Sequence, residues 1–507
     1  MIALTIALVA LGVLYYYGTK NFDYWKKRGV KYEEPIPVFG SIARIIFSKI
    51  SVTSFLVEIY NKYPTEKVVG FFKRTEPQLV IRDPDIAKQI LSTDFHYFYN
   101  RGLTHERTGI EPLFRNIFFA DGDVWRLLRQ RLTPAFTSGK LRAMFPLIVE
   151  RAEKLQARVL KEADAGSVLD ARDLMACYTT DFIGACAFGL DSDSLSDENS
   201  AFRKLGSKIF KTGLIKHIKM LLKEAFPPFF NHFSFTAEIE KEMLSLIVSI
   251  MQQRNYEPSI RNDFIDMMLE CRKQGKMIVE SLEKINANGT PEIVELELDD
   301  ILIVAQVFIF FAAGFETSSS STSFTLHQLA YNPEVQRKVQ EEIDRVLAKR
   351  DNKLSYEAIK EMNYLHWTFN EGMRLFPSVG FLIRESTRPY TFKDLDFSID
   401  KGVAVMIPTQ ALHKDPQYFE NPDEFQPERF NPEMFHQNTV YFPFGAGPRA
   451  CVGERLGRMQ SIAGLAAVLS VCSVEPAPTT QRHLELDPHA KVIQSVKGGI
   501  PLLFRKR

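Results

Sequence analysis

The sequence predicts a mainly α protein with small β-sheets, built as one large domain around a long central helix and preceded by an N-terminal membrane anchor. Three observations predict it. Helical apolar periodicity dominates from about residue 50, with only short β-rich pieces such as 67–72 and 78–81 between. A run from Ile301 to Ala313, apolar on every side, opens a helix that begins at Asp299-Asp300 and lasts until Asn332-Pro333, where proline cannot continue it. Ile2 to Tyr17 is almost continuously apolar. Neither an internal repeat nor a low-complexity tract breaks the pattern, so the 507 residues are read as one domain although length allows more.

The N-terminal stretch is followed by Lys20, Lys26, Lys27 and Arg28 and ends in Tyr15-Tyr16-Tyr17, without a small-residue cleavage site. It therefore reads as an uncleaved anchor over 1–19, with the basic flank and the body on the cytosolic side. Pro35-Ile36-Pro37 and Gly40 make 20–40 a stiff basic hinge. A net charge of +1 speaks against a nucleic-acid partner. The five cysteines are odd in number and form no Cys-x-x-Cys pair, which argues against a disulfide framework or a structural zinc and for a reducing compartment. The 40 phenylalanines suit both a core and an apolar pocket.

Further along, Trp125 and Arg129 lie four apart on one helix face, an indole N–H and a guanidinium able to bind a carboxylate. Arg126 and Arg131 share that helix and, with Arg455 and Arg458, form a candidate basic patch. Ala225-Phe226-Pro227-Pro228-Phe229-Phe230 is an aromatic turn between basic helical segments. The central helix, about 33 residues at 1.5 Å each, spans about 50 Å and should be buried. Its apolar half is too short for a transmembrane span, and Gln306 interrupts it. Within it, Ala313-Gly314-Phe315-Glu316-Thr317 puts an acid and a hydroxyl just after a glycine. Glu371-Gly372-Met373-Arg374 places opposite charges on one helical face, and Pro427-Glu428-Arg429-Phe430 follows later.

The densest chemistry lies in Phe444-Gly445-Ala446-Gly447-Pro448-Arg449-Ala450-Cys451-Val452-Gly453. Glycines permit positive-φ turns and the close approach of a flat ligand. The amides of Val452 and Gly453 are expected to point at the Cys451 sulfur and favour its thiolate. Arg449 supplies a cation suited to a carboxylate, and Phe444 an apolar plate that keeps water from the sulfur. A lone buried cysteine is the plain alternative, which the spacing Phe-x-x-Gly-x-Arg-x-Cys-x-Gly outweighs.

On this loop and the four other motifs in their order, the chain after the anchor resembles the cytochromes P-450, haem-thiolate mono-oxygenases. The resemblance implies the cytochrome P-450 fold over 41–507, with haem b as cofactor and Cys451 as axial iron ligand within a loop that includes Gly447 and Gly453. It places Trp125, Arg129 and Arg101 on the haem propionates. Relatives carry a further basic residue shortly after the Leu-Phe-Pro that follows Arg374, where this chain has Phe381 with Arg384 beyond it, and that contact is left open. Glu316 and Thr317 are implied to deliver protons to dioxygen, with Gly314 leaving room for it. Glu371, Arg374 and Arg429 are implied to brace the cysteine loop as a buried carboxylate between two guanidiniums.

Phe118, Phe119, Phe310, Phe311, Phe315, Val379 and Phe381 flank these motifs and are candidates for the pocket wall. The resemblance sets the anchor in the endoplasmic reticulum membrane and the aromatic turn at 225–230 over the substrate entrance, against lipid. No Gly-x-Gly-x-x-Gly fingerprint or flavin segment is visible, so electrons are expected from NADPH through a separate cytochrome P-450 reductase, with cytochrome b5 as a further donor. The basic patch would meet that reductase. The segment Thr133-Pro134-Ala135-Phe136-Thr137-Ser138-Gly139-Lys140-Leu141 is similar to microsomal xenobiotic-metabolising enzymes that include insect family six. The implied activity is hydroxylation or epoxidation of apolar compounds such as plant allelochemicals and insecticides. Competing readings are an endogenous hormone or fatty-acid hydroxylase, a haem-thiolate isomerase or dehydratase, and a haem-binding sensor. The last two have less use for Glu316-Thr317.

Overall fold

The computed structural model describes every residue except 104–109, 191–192, 198–199, 211–218, 220–221, 224–229, 231–233, 235, 435–439 and 491, and the side chains of 201, 202, 207 and 210. The aromatic turn expected over the substrate entrance lies, Phe230 apart, outside the described residues.

Helix α1 (Ile2–Thr19) is apolar and stands almost free of the body, with 6% of its length buried, as a membrane anchor would. The expected hinge behind it is not free. Trp25 is fully buried, its indole N–H donates to the Phe71 carbonyl at 3.1 Å, and its ring lies where a side chain at Gly70 would have to be. Tyr32 and Gly40 add bridges to Gly70 and Lys73. One large buried aromatic fixes 20–40 to the body more firmly than two prolines could stiffen it in solvent.

The segment docks on β1 (Val68–Lys73), which with β2 (Glu76–Ile81), β3 (Leu382–Glu385) and β4 (Ala404–Ile407) forms a sheet in the order β1-β2-β4-β3. Only the β2–β4 pair is parallel. Alternation along β3 matters for the site. Ile383, with Phe381 just before the strand, packs into the cluster of Phe55, Phe71 and Met406, while Leu382 packs on the other face with Phe442 and Ala446.

The helical part is organised by α2 (Gly122–Leu132), α3 (Ser138–Ala165), α4 (Ala171–Phe188), α5 (Asp300–Tyr331), α6 (Asn363–Leu375) and α7 (Glu454–Val471). As predicted, α5 starts at Asp299, whose carboxylate caps the Leu302 N–H at 2.6 Å, and ends at Asn332 before Pro333. Its most apolar stretch is 67% buried, the pattern of a core helix and not of a span. Gln306 is fully buried and satisfied, donating to the Arg115 and Leu302 carbonyls and accepting from the Ile117 N–H. Gly314 is where α4 comes closest, since a Cβ there would lie 2.5 Å from Ile183 Cδ1. Helix packing, as much as room for a diatomic molecule, requires that glycine.

A second sheet joins Cys472–Pro476, Pro501–Lys506 and Val168–Asp170. A hairpin of Met277–Ile285 and Pro291–Leu296, turning at Gly289 with φ +84°, lies along α2. Among the described residues three cores result, a large helical one and two smaller ones that include opposite faces of the sheet. The cysteine loop bridges the helical core and one of the sheet cores: Phe444 and Val452 pack on the former, Phe442 and Ala446 on the latter.

Candidate active site

The loop is held by its own backbone. Gly445 and Gly447 take φ +74° and +70°, and a Cβ on Gly447 would overlap the Leu91 carbonyl oxygen. Gly453, read as a third such turn, is at φ −91° and serves instead as the N-cap of α7. The Cys451 N–H donates to the Phe444 carbonyl at 2.8 Å, and Arg458 lies over the Phe444 ring at 4.7 Å.

Cys451 has an accessible side chain in a setting crowded by protein atoms, the other four cysteines being buried. That crowding pushes its thiol up. The Gly453 amide and the Arg129 and Arg101 guanidiniums pull it down without overcoming burial. The expectation that two loop amides would by themselves favour the thiolate is therefore corrected: one amide acts, and desolvation outweighs it. A cation bound directly to the sulfur would favour the thiolate.

On the Arg449 side of the loop, four guanidiniums cluster among the described residues. Arg449, nearly fully buried, donates to the Tyr99 and Ala120 carbonyls and to Asp121 Oδ1 at 2.9 Å, and stacks on Trp125 at 4.4 Å. Arg101 donates to the Phe118 carbonyl at 2.8 Å and to the Arg449 carbonyl at 3.4 Å. Arg129 donates to the Ala450 carbonyl at 2.7 Å, one residue from the sulfur. The fourth is Arg384, on the opposite face of its strand from Ile383 and Phe381 and coupled to Arg101 and Arg449. Sequence reasoning left that position open; the period-two alternation of β3 is the signal that points to it.

Burial pulls Arg101 down to about 10 and Arg384 to about 9, and burial with the neighbouring guanidiniums holds Arg449 well below the usual arginine range. Arg449 Nη1 and Arg384 Nε are buried without a hydrogen-bond partner, and Asp121 is the carboxylate that reaches Arg449. So much crowded positive charge with unspent donors is costly by itself and is relieved by an anion with several carboxylate oxygens. The residues present thus fit a haem, whose propionates Arg449, Arg101, Arg129 and Arg384 would hold, with Trp125 stacked on Arg449.

Glu385, next to Arg384, packs on Gly102, and burial followed by Asp121 pushes its carboxyl up to about 7. A carboxyl whose folded pKa is raised from the usual 4.5 holds its proton more tightly when folded, so stability falls as pH rises from about 4.5 to about 7 and is flat beyond. Glu385→Gln is expected to unfold like the parent near pH 4.5. At pH 8 it should be more stable by about 1 kcal/mol, allowing for partial solvent screening, as read by thermal unfolding.

On α5, the middle turns are accessible only along Ile309, Phe310, Ala313, Gly314, Glu316 and Thr317, Ala313 most of all. Thr317 Oγ1 donates back to the Ala313 carbonyl at 2.7 Å, which leaves its lone pairs for an incoming hydrogen. Glu316 is paired with Arg172, which also donates to Ser495.

This stripe corrects three pocket assignments. Phe311 and Phe315 are fully buried, against Phe188 and Gly206 respectively, because positions 311 and 315 point away from 309, 313 and 317 at 100° per residue. Phe381 belongs to the sheet cluster. Phe310 keeps some exposure, with its ring stacked on Phe264 at 4.3 Å. Phe118 and Phe119, whose N–H groups both donate to Asn116 Oδ1, and Val379 remain partly open. Ile309 and Ala313, missed in the sequence, join them.

Glu371, Arg374 and Arg429 come together. Arg374 grips the fully buried Glu371 with two bonds of 2.7 and 2.8 Å, and Arg429 reaches the same carboxylate at 3.3 Å. Arg374 continues to the carbonyl of His413, whose Nε2 accepts the Phe442 N–H at 2.9 Å where the cysteine loop begins. Burial drives His413 down to about 3, so it acts here as a neutral acceptor. The arginines of the candidate basic patch are partly engaged. Arg126 and Arg131 are spent on carbonyls of the hairpin and the residues just before it, and Arg458 on Glu454 and Asn370, while Arg455 stays exposed.

A loop-borne thiol among guanidiniums, on a helical fold with a long central helix, is the arrangement expected of the haem-thiolate class. Residues 30–502 match the family described as "Cytochrome P450". The chain is 36% identical to "Cytochrome P450 6B2" of Helicoverpa armigera, over 97% of this chain and 96% of that protein. It is 35% identical to "Probable cytochrome P450 6a18" of Drosophila melanogaster, over 98% and 97%, and to "Cytochrome P450 6B1" of Papilio polyxenes, over 98% of each. The chain belongs to the cytochrome P-450 family, as a mono-oxygenase of the insect family-six type that uses haem b and electrons from a reductase. Bound there, haem supplies a redox-active iron able to activate dioxygen.

Proposed function

We propose that Cys451 is the axial thiolate of the haem and that the enzyme hydroxylates or epoxidises apolar xenobiotics, such as plant allelochemicals and insecticides, at the cytosolic face of the endoplasmic reticulum. The observation that carries the haem placement is the guanidinium cluster tied to the cysteine loop, with Arg129 on the Ala450 carbonyl and Arg101 on that of Arg449. The xenobiotic role leans on the likeness to insect family-six enzymes. One oxygen atom enters the substrate and the other leaves as water, with two electrons from NADPH through NADPH-cytochrome P-450 reductase and cytochrome b5 as a further donor.

In this reading the chain's own groups divide the work. Arg449, Arg101, Arg129 and Arg384 neutralise the propionates, and Trp125 keeps Arg449 in plane. Phe444 shields the sulfur side from water. Ile309, Ala313, Val379, Phe118 and Phe119 offer an apolar wall that retains substrate. Thr317 Oγ1 accepts a hydrogen from water and turns to pass one on, while Glu316 resupplies protons from the Arg172 side.

The test is turnover of a panel of apolar plant compounds and insecticides by the full-length enzyme with reductase and NADPH, scored by incorporation of oxygen from labelled dioxygen. No labelled product from any of them, with a fatty acid oxidised instead, would favour the endogenous reading. Thr317→Ala is expected to keep haem and to divert most electrons to hydrogen peroxide, about a tenfold or greater loss of product per NADPH. Unchanged coupling would remove its assigned role.

A further inference from the structure

We propose that Ser378, acting with Ser321, is a positioning residue for Thr317, pinning the turn of α5 that carries the reactive hydroxyl to a separate strap of chain. The inference rests on the proton-delivery role given to Thr317 above.

Ser378 lies in the segment after α6, outside α5, yet its Oγ donates to the Thr317 carbonyl at 2.8 Å. Ser321, one turn along α5, donates to the same carbonyl at 3.0 Å, and the two hydroxyl oxygens are 2.7 Å apart. Three oxygen–oxygen contacts share two hydroxyl hydrogens, so the pair can exchange donors by rotation while the carbonyl keeps at least one. The strap is itself fixed. The Gln494 N–H donates to the Ser378 carbonyl at 2.8 Å, the Gln494 side-chain amide donates to the Pro377 carbonyl at 2.6 Å, and Val379 bridges to Ile493.

α5 needs such a pin at this place. Gly314 lowers helix propensity, and Thr317 bonds back to Ala313, a combination that lets helices bend. A helix free to bend lets the Thr317 hydroxyl drift along its axis. Tying the Thr317 carbonyl to a second element fixes that hydroxyl against the Ser378–Val379 segment, which is itself partly exposed. The wall that touches substrate and the group that handles protons are thereby held in one register.

The experiment uses the full-length holoenzyme with reductase, NADPH and one compound that it turns over, and measures NADPH consumed, product and hydrogen peroxide. In leak turnover, NADPH, a proton and dioxygen give NADP⁺ and hydrogen peroxide, so electrons balance between the two outcomes. Ser378→Ala is expected to keep the haem spectrum of the reduced carbon monoxide complex and to raise the peroxide-to-product ratio about fivefold, the factor that one neutral hydrogen bond is worth. Ser378→Thr, which keeps the hydroxyl, should restore coupling. Parent-like coupling in Ser378→Ala would overturn the proposal. If that variant fails to load haem, Ser378→Cys, which keeps the side chain's shape but donates only weakly, decides: a raised ratio supports the pin, and an unchanged one overturns it. Thr317→Ala run alongside separates the two levels. Should it stay coupled, the reading of Thr317 falls and this proposal with it; should it uncouple while Ser378→Ala does not, only the pin is wrong.

Discussion

Glu371→Gln is expected to abolish haem incorporation while leaving the sequence of every other haem contact intact. The Glu371 carboxylate is fully buried and accepts from Arg374 twice, from Arg429, and from the Gln426 N–H at 2.9 Å. Removing its charge leaves the fully buried Arg374 guanidinium uncompensated, a cost of about 3–5 kcal/mol. The cost is transmitted, because Arg374 also holds the His413 carbonyl and His413 holds the Phe442 N–H at the root of the cysteine loop. Haem content per folded chain and the unfolding temperature together measure it. Normal haem content with a lowered unfolding temperature would make the triad a stabiliser of the fold at large and not of the loop.

The second large effect is at Cys451. Cys451→His is expected to lose mono-oxygenase turnover completely, even where haem is retained, because imidazole is a weaker electron donor than thiolate. Arg129, Arg101 and the Gly453 amide would remain around the new side chain, so haem retention without activity is the specific outcome. Product formation at the parent's rate would end the assignment of the sulfur.

Some of this was legible in the sequence and some was not, for physical reasons. The ends of α5 were readable because Asp299 and Pro333 act locally, as cap and as stop. Its rotational phase was not. A helix apolar on all sides has no stripe to mark its facing side, so its sequence does not separate the buried Phe311 and Phe315 from the accessible Ile309 and Ala313. Arg384 needed the register of β3, which is set by the distant β4. Trp25 fixes 20–40 through a contact with Gly70, so no local rule could distinguish that segment from a hinge. The hairpin that takes up Arg126 is likewise defined by where it packs. By contrast, Glu371, Arg374 and Arg429 came together as their motifs implied.

The thiol at Cys451 is the sharpest case. Its loop and glycines were visible, yet the balance between burial and one amide depends on three-dimensional crowding.

The most direct test of the central claim is the difference spectrum of the dithionite-reduced full-length protein with and without carbon monoxide. Thiolate ligation by Cys451 predicts a Soret band far to the red of an imidazole-ligated haem, lost in Cys451→His. A band at the imidazole position, or no haem band from well-folded protein, would contradict it.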